Sequence, residues 1–372
     1  MISRRDNLRR VLKGETPAWV PFTMNFHQWF THHQQNDSLP AELRGCHDSI
    51  DALHVLDADI FSRNVNGGVH QHYDGIEPEV ETTEGQQGPR KTTKWHTPHG
   101  TLRSVSETQT RLSTQYQAED LIKDWDREAK AYRWLLERMV CGWDRTVFET
   151  NNRRIGDQGL LMIQAGCTPL KLLHRHFGLD GSSFFIMDYP DQAQAICDLY
   201  WSKLWPVLQT LATDDAVDAV ILMDNVDTPF YPPSFAQRFW TPYVRQAVDL
   251  FEPAGKVVFV HACGQLRGLS AVFRESGVHG LEGMAHPPLG DITVADIKQI
   301  HDRFIYNGGF SAHEQVVKPD DEVRRFYAQL FRELDGWPRF IFAAACQTAI
   351  DTPWERIKLA RDCCREHGGD RV

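Results

Sequence analysis

The chain has 372 residues, of which 41% are hydrophobic and 24% are charged, a composition typical of a soluble globular protein. Its formal net charge of −10 argues against nucleic acid as a partner, because such binding needs a basic surface. No apolar stretch is long enough to cross a bilayer, and the eight cysteines are scattered without a disulfide framework, so we expect a protein of the reducing cytoplasm.

The first predicted element is an amphipathic helix in MISRRDNLRRVLKGE, which places Leu8, Val11 and Leu12 on one side. Strands are predicted over 18–25 and 57–64. The region from about 64 to 115 is polar, and alternation in stretches such as KTTKWHTPHGTLRSVSET predicts antiparallel hairpin strands with a turn at 98–100. We interpret this region as a polar β-hairpin insertion in a single domain that spans residues 1–372.

Helical and strand patterns alternate after residue 119. The predicted helices cover about 119–139, 190–212, 234–252, 265–276, 292–302, 318–334 and 352–366. The predicted strands cover 159–166, 218–225, 256–263, 280–284, 304–310 and 339–346. About eight strands, each followed by a helix, predict an α/β fold of the (β/α)8 TIM barrel class, with an N-terminal helix and the antiparallel hairpin excursion. A doubly wound open sheet is the alternative, and the chain lacks the Gly-x-Gly-x-x-Gly pattern that would favour it.

Three residues at the ends of late strands form a candidate metal site. His261 and Cys263 lie in VVFVHACG, two residues apart and therefore on one face of a strand, and Cys346 ends FIFAAACQT. Strand ends converge at the rim of a barrel, and one His with two Cys is a set of ligands that suits zinc and leaves a coordination position free. Each residue alone is more typical of a core position, so the prediction depends on all three together.

Glu282 ends the next predicted strand, 21 residues after His261. Two metal-site roles are open for it: a further zinc ligand that substrate displaces, or an acceptor that orients His261. It is also a candidate catalytic carboxylate, and an ordinary hydrogen-bonding residue at the rim is the remaining alternative.

Three further polar residues lie at the ends of predicted strands at the same rim. Asp224 is a candidate catalytic group for proton transfer, with helix capping as the alternative. Asn225 and Asn307 are candidate cofactor-binding residues. Asn307 precedes Gly308 and Gly309, which would let a bulky ligand approach the backbone closely or would serve a turn.

The chain resembles a branch of the uroporphyrinogen decarboxylase superfamily, that of methylcobamide:coenzyme M methyltransferases and related corrinoid-dependent demethylases. The zinc signature of that branch, His-x-Cys followed at a distance by Cys, corresponds to His261, Cys263 and Cys346. The segments that support the resemblance are RRDNLRRVLKGETPAWVPF, IQAGCTPLKLLHRHFG, HACGQLRGLSAVFRESGVHGLEG and CQTAIDTPWERIKLARDC. True uroporphyrinogen decarboxylases carry an arginine-containing stretch after the first strand, whereas MNFHQWFTHHQQN has no arginine there, which disfavours decarboxylation of a tetrapyrrole.

The resemblance implies an enzyme, a TIM barrel with bound zinc that is a methyltransferase or demethylase. The methyl group would move between a corrinoid (methylcobalamin or a corrinoid protein) and a thiol, folate, or methoxylated or methylated small molecule. The chain has no Asp-x-His-x-x-Gly stretch, so the corrinoid is expected on a partner protein or as a transient ligand. Two alternatives stay open, a metal-free lyase on the same barrel and a non-catalytic corrinoid- or tetrapyrrole-binding protein; assembly as a homodimer also stays open.

Overall fold

A computed structural model describes residues 2–112 and 114–369; residues 1, 113 and 370–372, which belong to the predicted single domain, lie outside the described part. The strands are, in chain order, β1 (Phe22–Thr23), β2 (Ile60–Ser62), β3 (Val69–Tyr73), β4 (Glu79–Glu84), β5 (Pro89–Thr97), β6 (Gly100–Gln109), β7 (Thr114–Glu119), β8 (Met139–Trp143), β9 (Gly159–Gln164), β10 (Ala219–Val226), β11 (Val257–Ala262), β12 (Gly280–Met284), β13 (Ile305–Phe310) and β14 (Phe340–Ala344). The helices are α1 (Arg4–Lys13), α2 (His27–Gln35), α3 (Ser49–Val55), α4 (Trp125–Glu137), α5 (Arg145–Ile155), α6 (Pro169–Phe177), α7 (Leu179–Asp188), α8 (Pro190–Thr213), α9 (Pro233–Phe239), α10 (Thr241–Phe251), α11 (Ser270–Ser276), α12 (Val294–Lys298), α13 (Ala312–Val317), α14 (Asp320–Glu333) and α15 (Trp354–Gly368). None of these helices is both long and apolar enough to span a membrane.

Eight parallel strands form the central barrel, in the order β1, β14, β13, β12, β11, β10, β9 and β2. The two end strands of this order approach each other, since the backbone N–H of Asp59 donates to the carbonyl of Phe22 over 2.7 Å. The barrel is therefore nearly closed, and the predicted (β/α)8 TIM barrel is confirmed.

Helix α1 covers the end of the barrel where the strands begin. Its side chains Leu8, Val11 and Leu12 join one buried cluster with apolar strand residues such as Phe259. Arg9 pairs with Asp218, which immediately precedes β10, at 2.9 Å. Because this end is filled by apolar side chains and a helix, the opposite end, where the strands finish, is the one left for chemistry.

The polar excursion follows β2. Strands β4 to β7 form a four-stranded antiparallel sheet, and β3 pairs with β8 in a separate antiparallel ribbon. The predicted turn at 98–100 joins β5 to β6, where Thr97 pairs with Gly100. The antiparallel strands extend beyond the predicted end near residue 115 to Trp143, because β8 returns to pair with β3.

One predicted helix is broken. The pattern over 234–252 predicts a continuous helix, whereas the chain forms α9 and α10 with Trp240 between them. Pro242 lies in the first turn of α10. Proline has no N–H to continue the hydrogen bonds of a preceding helix, but it is tolerated where a new helix begins.

Candidate metal centre

Three neighbouring strands place polar side chains in one row near the end of the barrel. His261 of β11 pairs in register with Glu282 of β12, and Glu282 pairs with Asn307 of β13. Glu282 and Asn307 line a small cavity with apolar residues of the lumen such as Met162. A buried polar layer therefore lies directly above the apolar filling of the barrel.

The structure brings His261, Cys263 and Cys346 together. One ligand atom from each residue lies within 4.8 Å of the others. The two sulfur atoms are 3.6 Å apart and both cysteines are free thiols. His261 is buried, whereas the two cysteines are partly exposed, so the sulfur side of the cluster faces the accessible rim.

Strand pairing explains how chain segments 83 residues apart meet at one point. Cys263 follows β11, and its backbone N–H donates to Val226 at the end of β10 over 2.9 Å. Cys346 follows β14, where the N–H of Ala345 donates to the carbonyl of Phe310 over 2.8 Å. Both sulfur atoms are thus held by backbone bonded to the neighbouring strand.

Glu282 is bound on three sides. Its carboxylate contacts Nδ1 of His261, pairs with Nε of Arg63 at 3.0 Å, and accepts from Nδ2 of Asn25 over 3.3 Å. These contacts correspond to the orienting role predicted for Glu282, and the ligand and catalytic roles stay predictions. Arg63 was missed by the sequence interpretation, which had no signal that this charged residue is buried.

The buried charges perturb one another. Burial would lower the pKa of His261, but Glu282 and Cys346 raise it to about 9. Burial raises the pKa of Glu282, but His261 and Arg63 outweigh that effect and bring it to about 2. Glu282 therefore accepts from the Nδ1–H of His261 as a carboxylate, and Nε2 is the ring nitrogen that a metal could bind in place of its proton.

The two thiols have opposite pKa shifts. A hydrogen bond with Cys346 lowers the pKa of Cys263 to about 7, and that same bond, together with burial, raises the pKa of Cys346. Cys263 therefore reaches its thiolate form readily, and the thiolate is the form that binds metal.

The other predicted site residues lie around this cluster. Asp224 is fully buried and accepts hydrogen bonds from the backbone and hydroxyl of Thr168 and from the indole of Trp240, at 2.7 to 2.8 Å. Those contacts anchor the start of α6, and the catalytic role of Asp224 stays a prediction. Asn225 is exposed and lines a large cavity over the barrel. Oδ1 of Asn307 is buried without a hydrogen-bond partner in the described part of the chain.

The chain is a (β/α)8 barrel in which one imidazole and two sulfurs that could hold a metal ion converge at the rim where the strands finish. The family model for uroporphyrinogen decarboxylase (URO-D) matches residues 178–367, just over half of the chain. The chain therefore belongs to the uroporphyrinogen decarboxylase family. This matched range contains all three residues of the cluster.

A solved structure of a methyltransferase shares the fold. A methyltransferase from Methanosarcina mazei superposes with a TM-score of 0.59 at 12% sequence identity, over 98% of this chain and 99% of that one. A B12-independent methionine synthase from Shewanella sp. W3-18-1 has a TM-score of 0.44 at 10% identity, over 95% of this chain and 93% of that one. Comparison with curated protein sequences gives no match.

Proposed function

We propose that the protein is a zinc-dependent methyltransferase that moves a methyl group between a corrinoid and a small thiol, folate, or methoxylated or methylated molecule. The observation that carries this proposal is the convergence of His261, Cys263 and Cys346 within 4.8 Å at the open end of the barrel. Membership of the family and the similarity in fold to the M. mazei methyltransferase support the reaction class.

The donor set fits zinc. One imidazole nitrogen and two sulfurs are ligands that zinc prefers, and three protein ligands are the number found in catalytic zinc sites, which keep a position for water or substrate. Zinc held by these three residues would act as a Lewis acid that lowers the pKa of a substrate thiol or polarises a methyl donor.

The protein residues prepare this site. Glu282 accepts from Nδ1 of His261, so Nε2 is the nitrogen that would bind zinc once the metal displaces its proton. Arg63 balances the charge of Glu282 at 3.0 Å and keeps it ionised. The unpartnered Oδ1 of Asn307 offers an acceptor in the same polar layer.

The corrinoid is expected from outside the chain, on a partner protein or as free methylcobalamin. The cysteine side of the cluster is partly exposed, as a site served by an external methyl carrier requires. In one direction a substrate thiolate would attack the methyl carbon while the cobalt–carbon bond breaks and the electron pair stays on cobalt as Co(I). In the other, Co(I) would attack the methyl carbon of the small molecule while the bond from carbon to its heteroatom breaks and the pair stays on the heteroatom. Either direction is compatible with this arrangement.

Zinc content and methylcobalamin demethylation test the proposal together. We expect about one zinc per chain in the purified protein, and loss of both zinc and demethylation in Cys263→Ser and Cys346→Ser. Cys141→Ser is the matched control, because Cys141 is also a partly exposed free cysteine but lies on β8 outside the cluster. Full zinc and activity in both cluster variants would refute the site. A protein without stoichiometric zinc that still catalyses decarboxylation would favour a metal-free lyase.

A further inference from the structure

A large cavity lies between the rim of the barrel and the inserted antiparallel strands. Its volume is about 730 Å³, within the range of small-molecule sites. One wall is formed by Tyr73 of β3 and Trp95 of β5, whose rings contact each other edge to face at 4.8 Å between centroids. Residues of α6 and Asn225 at the end of β10 also line the cavity.

The α6 wall carries two positive charges without partners. Lys171 and Arg175 both line the cavity and are four residues apart on the helix, hence one above the other. Within residues 2–112 and 114–369 neither side chain has an ion pair or side-chain hydrogen bond. Lys171 is partly buried and Arg175 is exposed. Like charges at this spacing destabilise a helix by a few tenths of a kcal/mol, so an anion between them would stabilise the pair.

No carboxylate of the described residues lines the cavity, although the chain as a whole has a net charge of −10. The nearby histidines add no charge at neutral pH, because burial lowers the pKa of His174 to about 4 and that of His176 to about 3. Burial also lowers the pKa of Lys171, and Asp224 opposes that effect. Both carboxylate oxygens of Asp224 accept hydrogen bonds from Thr168 and Trp240, and Asp224 forms no ion pair with the ammonium group of Lys171.

The cavity adjoins the metal cluster. Asn225 on its wall precedes Val226, whose carbonyl accepts from the N–H of Cys263 over 2.9 Å. Lys171 lies within electrostatic range of Cys263, since that thiol acts on its pKa. A molecule held by Lys171 and Arg175 would therefore lie beside the strand end that holds Cys263.

We propose that this cavity binds a small organic anion, with its acidic group between Lys171 and Arg175 and its apolar or aromatic body against Tyr73 and Trp95. The bound anion is the small-molecule substrate of the proposed methyl transfer, and only that role rests on the proposed function. Binding itself depends on the cavity and not on zinc.

Calorimetric titration of the full chain tests the binding. The probes are 4-methoxybenzoate and naphthalene-2-carboxylate, each compared with its uncharged amide of nearly the same shape. We expect each acid to bind at least tenfold more tightly than its amide, since hydrogen bonds to charged groups contribute enough for a tenfold effect. Inorganic sulfate has the negative charge but no apolar or aromatic group, and it should bind at least tenfold more weakly than the acids.

Variants locate the site. Lys171→Met and Arg175→Gln should each weaken binding of the acids by about tenfold and leave the amides within twofold. Lys130→Met, on the exposed face of α4, removes the same charge outside the cavity and should have no effect. Trp95→Ala should weaken binding of acid and amide equally, because it removes part of the apolar wall.

Three results would overturn the proposal: acids and amides that bind equally or not at all, unchanged acid binding in both cation variants, or sulfate that binds as tightly as the acids. The same titration in Cys263→Ser separates this proposal from the proposed function. Retained acid binding in a variant without zinc or demethylation supports the cavity on its own, and its loss would place the anion on the metal cluster instead.

Discussion

Glu282→Gln is the substitution that tests most directly how the buried polar layer supports the cluster. The carboxylate of Glu282 contacts Nδ1 of His261 and Nε of Arg63, and all three side chains are less than 10% exposed. Glutamine keeps the shape of the side chain and some hydrogen bonds but removes the negative charge. We expect two separable consequences, one for stability and one for zinc.

The loss of stability follows from the burial of Arg63. Removing one partner of a buried ion pair leaves the other charge uncompensated and costs about 3–5 kcal/mol. Arg63 is only 7% exposed, so water compensates little, while the glutamine oxygen retains one hydrogen bond. We therefore expect the lower end of that range, about 3 kcal/mol, in the free energy of unfolding measured with urea.

The loss of zinc affinity follows from the orientation of His261. A carboxylate on the second ring nitrogen fixes the tautomer of a ligating histidine, and its loss costs about 10–100-fold in metal affinity. Competition with a zinc-chelating dye measures this change. The surface variant Glu275→Gln, exposed on α11, should change the free energy of unfolding by less than about 0.5 kcal/mol and leave zinc affinity unchanged.

A double variant separates the two effects. Arg63→Met combined with Glu282→Gln removes both buried charges, so most of the lost stability should return. Zinc affinity should stay low, because His261 still lacks its carboxylate. If Glu282→Gln alone unfolds at the urea concentration of the wild type and binds zinc within twofold of it, Glu282 neither balances Arg63 nor positions His261, and the reasoning fails.

Three further outcomes are expected. Nδ1 of His279 accepts from the N–H of Val258 over 3.1 Å, and burial lowers the pKa of His279 to about 4. The neutral imidazole therefore contributes its full stability above the unfolded pKa of about 6.5. That contribution is lost as the pH falls from 6.5 towards 4, by about 3 kcal/mol in all. His279→Asn keeps a hydrogen-bond acceptor but does not titrate, so its free energy of unfolding should change less between pH 7 and pH 4.5 than that of the wild type. An equal change in both proteins would show that His279 is not the source of the pH dependence. Leu8→Ala should cost about 2–5 kcal/mol in urea unfolding, because Leu8 is fully buried at the base of the barrel, while zinc content stays at the wild-type level. Chelation of the metal should lower the melting temperature of the wild type and have no effect on Cys263→Ser, and equal melting curves for the wild type with and without chelator would count against a bound metal.

The late barrel strands could be predicted from the sequence because they are buried on both faces. Strand β12 begins and ends at the predicted residues, and the predicted limits of β11 and β14 differ from the observed ones by one or two residues. The predicted first strand over 18–25 is reduced to Phe22–Thr23. Prolines at 17 and 21 supply no N–H for a strand ladder, which explains the short pairing of β1.

The polar layer was only partly predictable. His261 and the two cysteines end recognisable strands, so their convergence follows from the closure of a barrel. Arg63 becomes a buried residue only because Glu282, distant in the chain, neutralises it, and a single sequence does not reveal such a pair. Lys171 and Arg175 become a candidate anion site only because the inserted strands form a cavity with α6, which the sequence does not reveal.

The cluster of His261, Cys263 and Cys346 and the cavity wall of the insertion differ in how deeply their backbone is buried. The cluster lies on backbone bonded within the barrel, where strand β11 is buried at every residue, so changes there disturb the core. The wall across the cavity belongs to the insertion, whose strand β4 is exposed at every residue. Changes on β4 therefore cost little stability, whereas Tyr73 and Trp95 are partly buried and pack against the core. Because Tyr73 and Trp95 lie outside the cluster of His261, Cys263 and Cys346, we expect their substitution to change which organic anion binds without affecting zinc content.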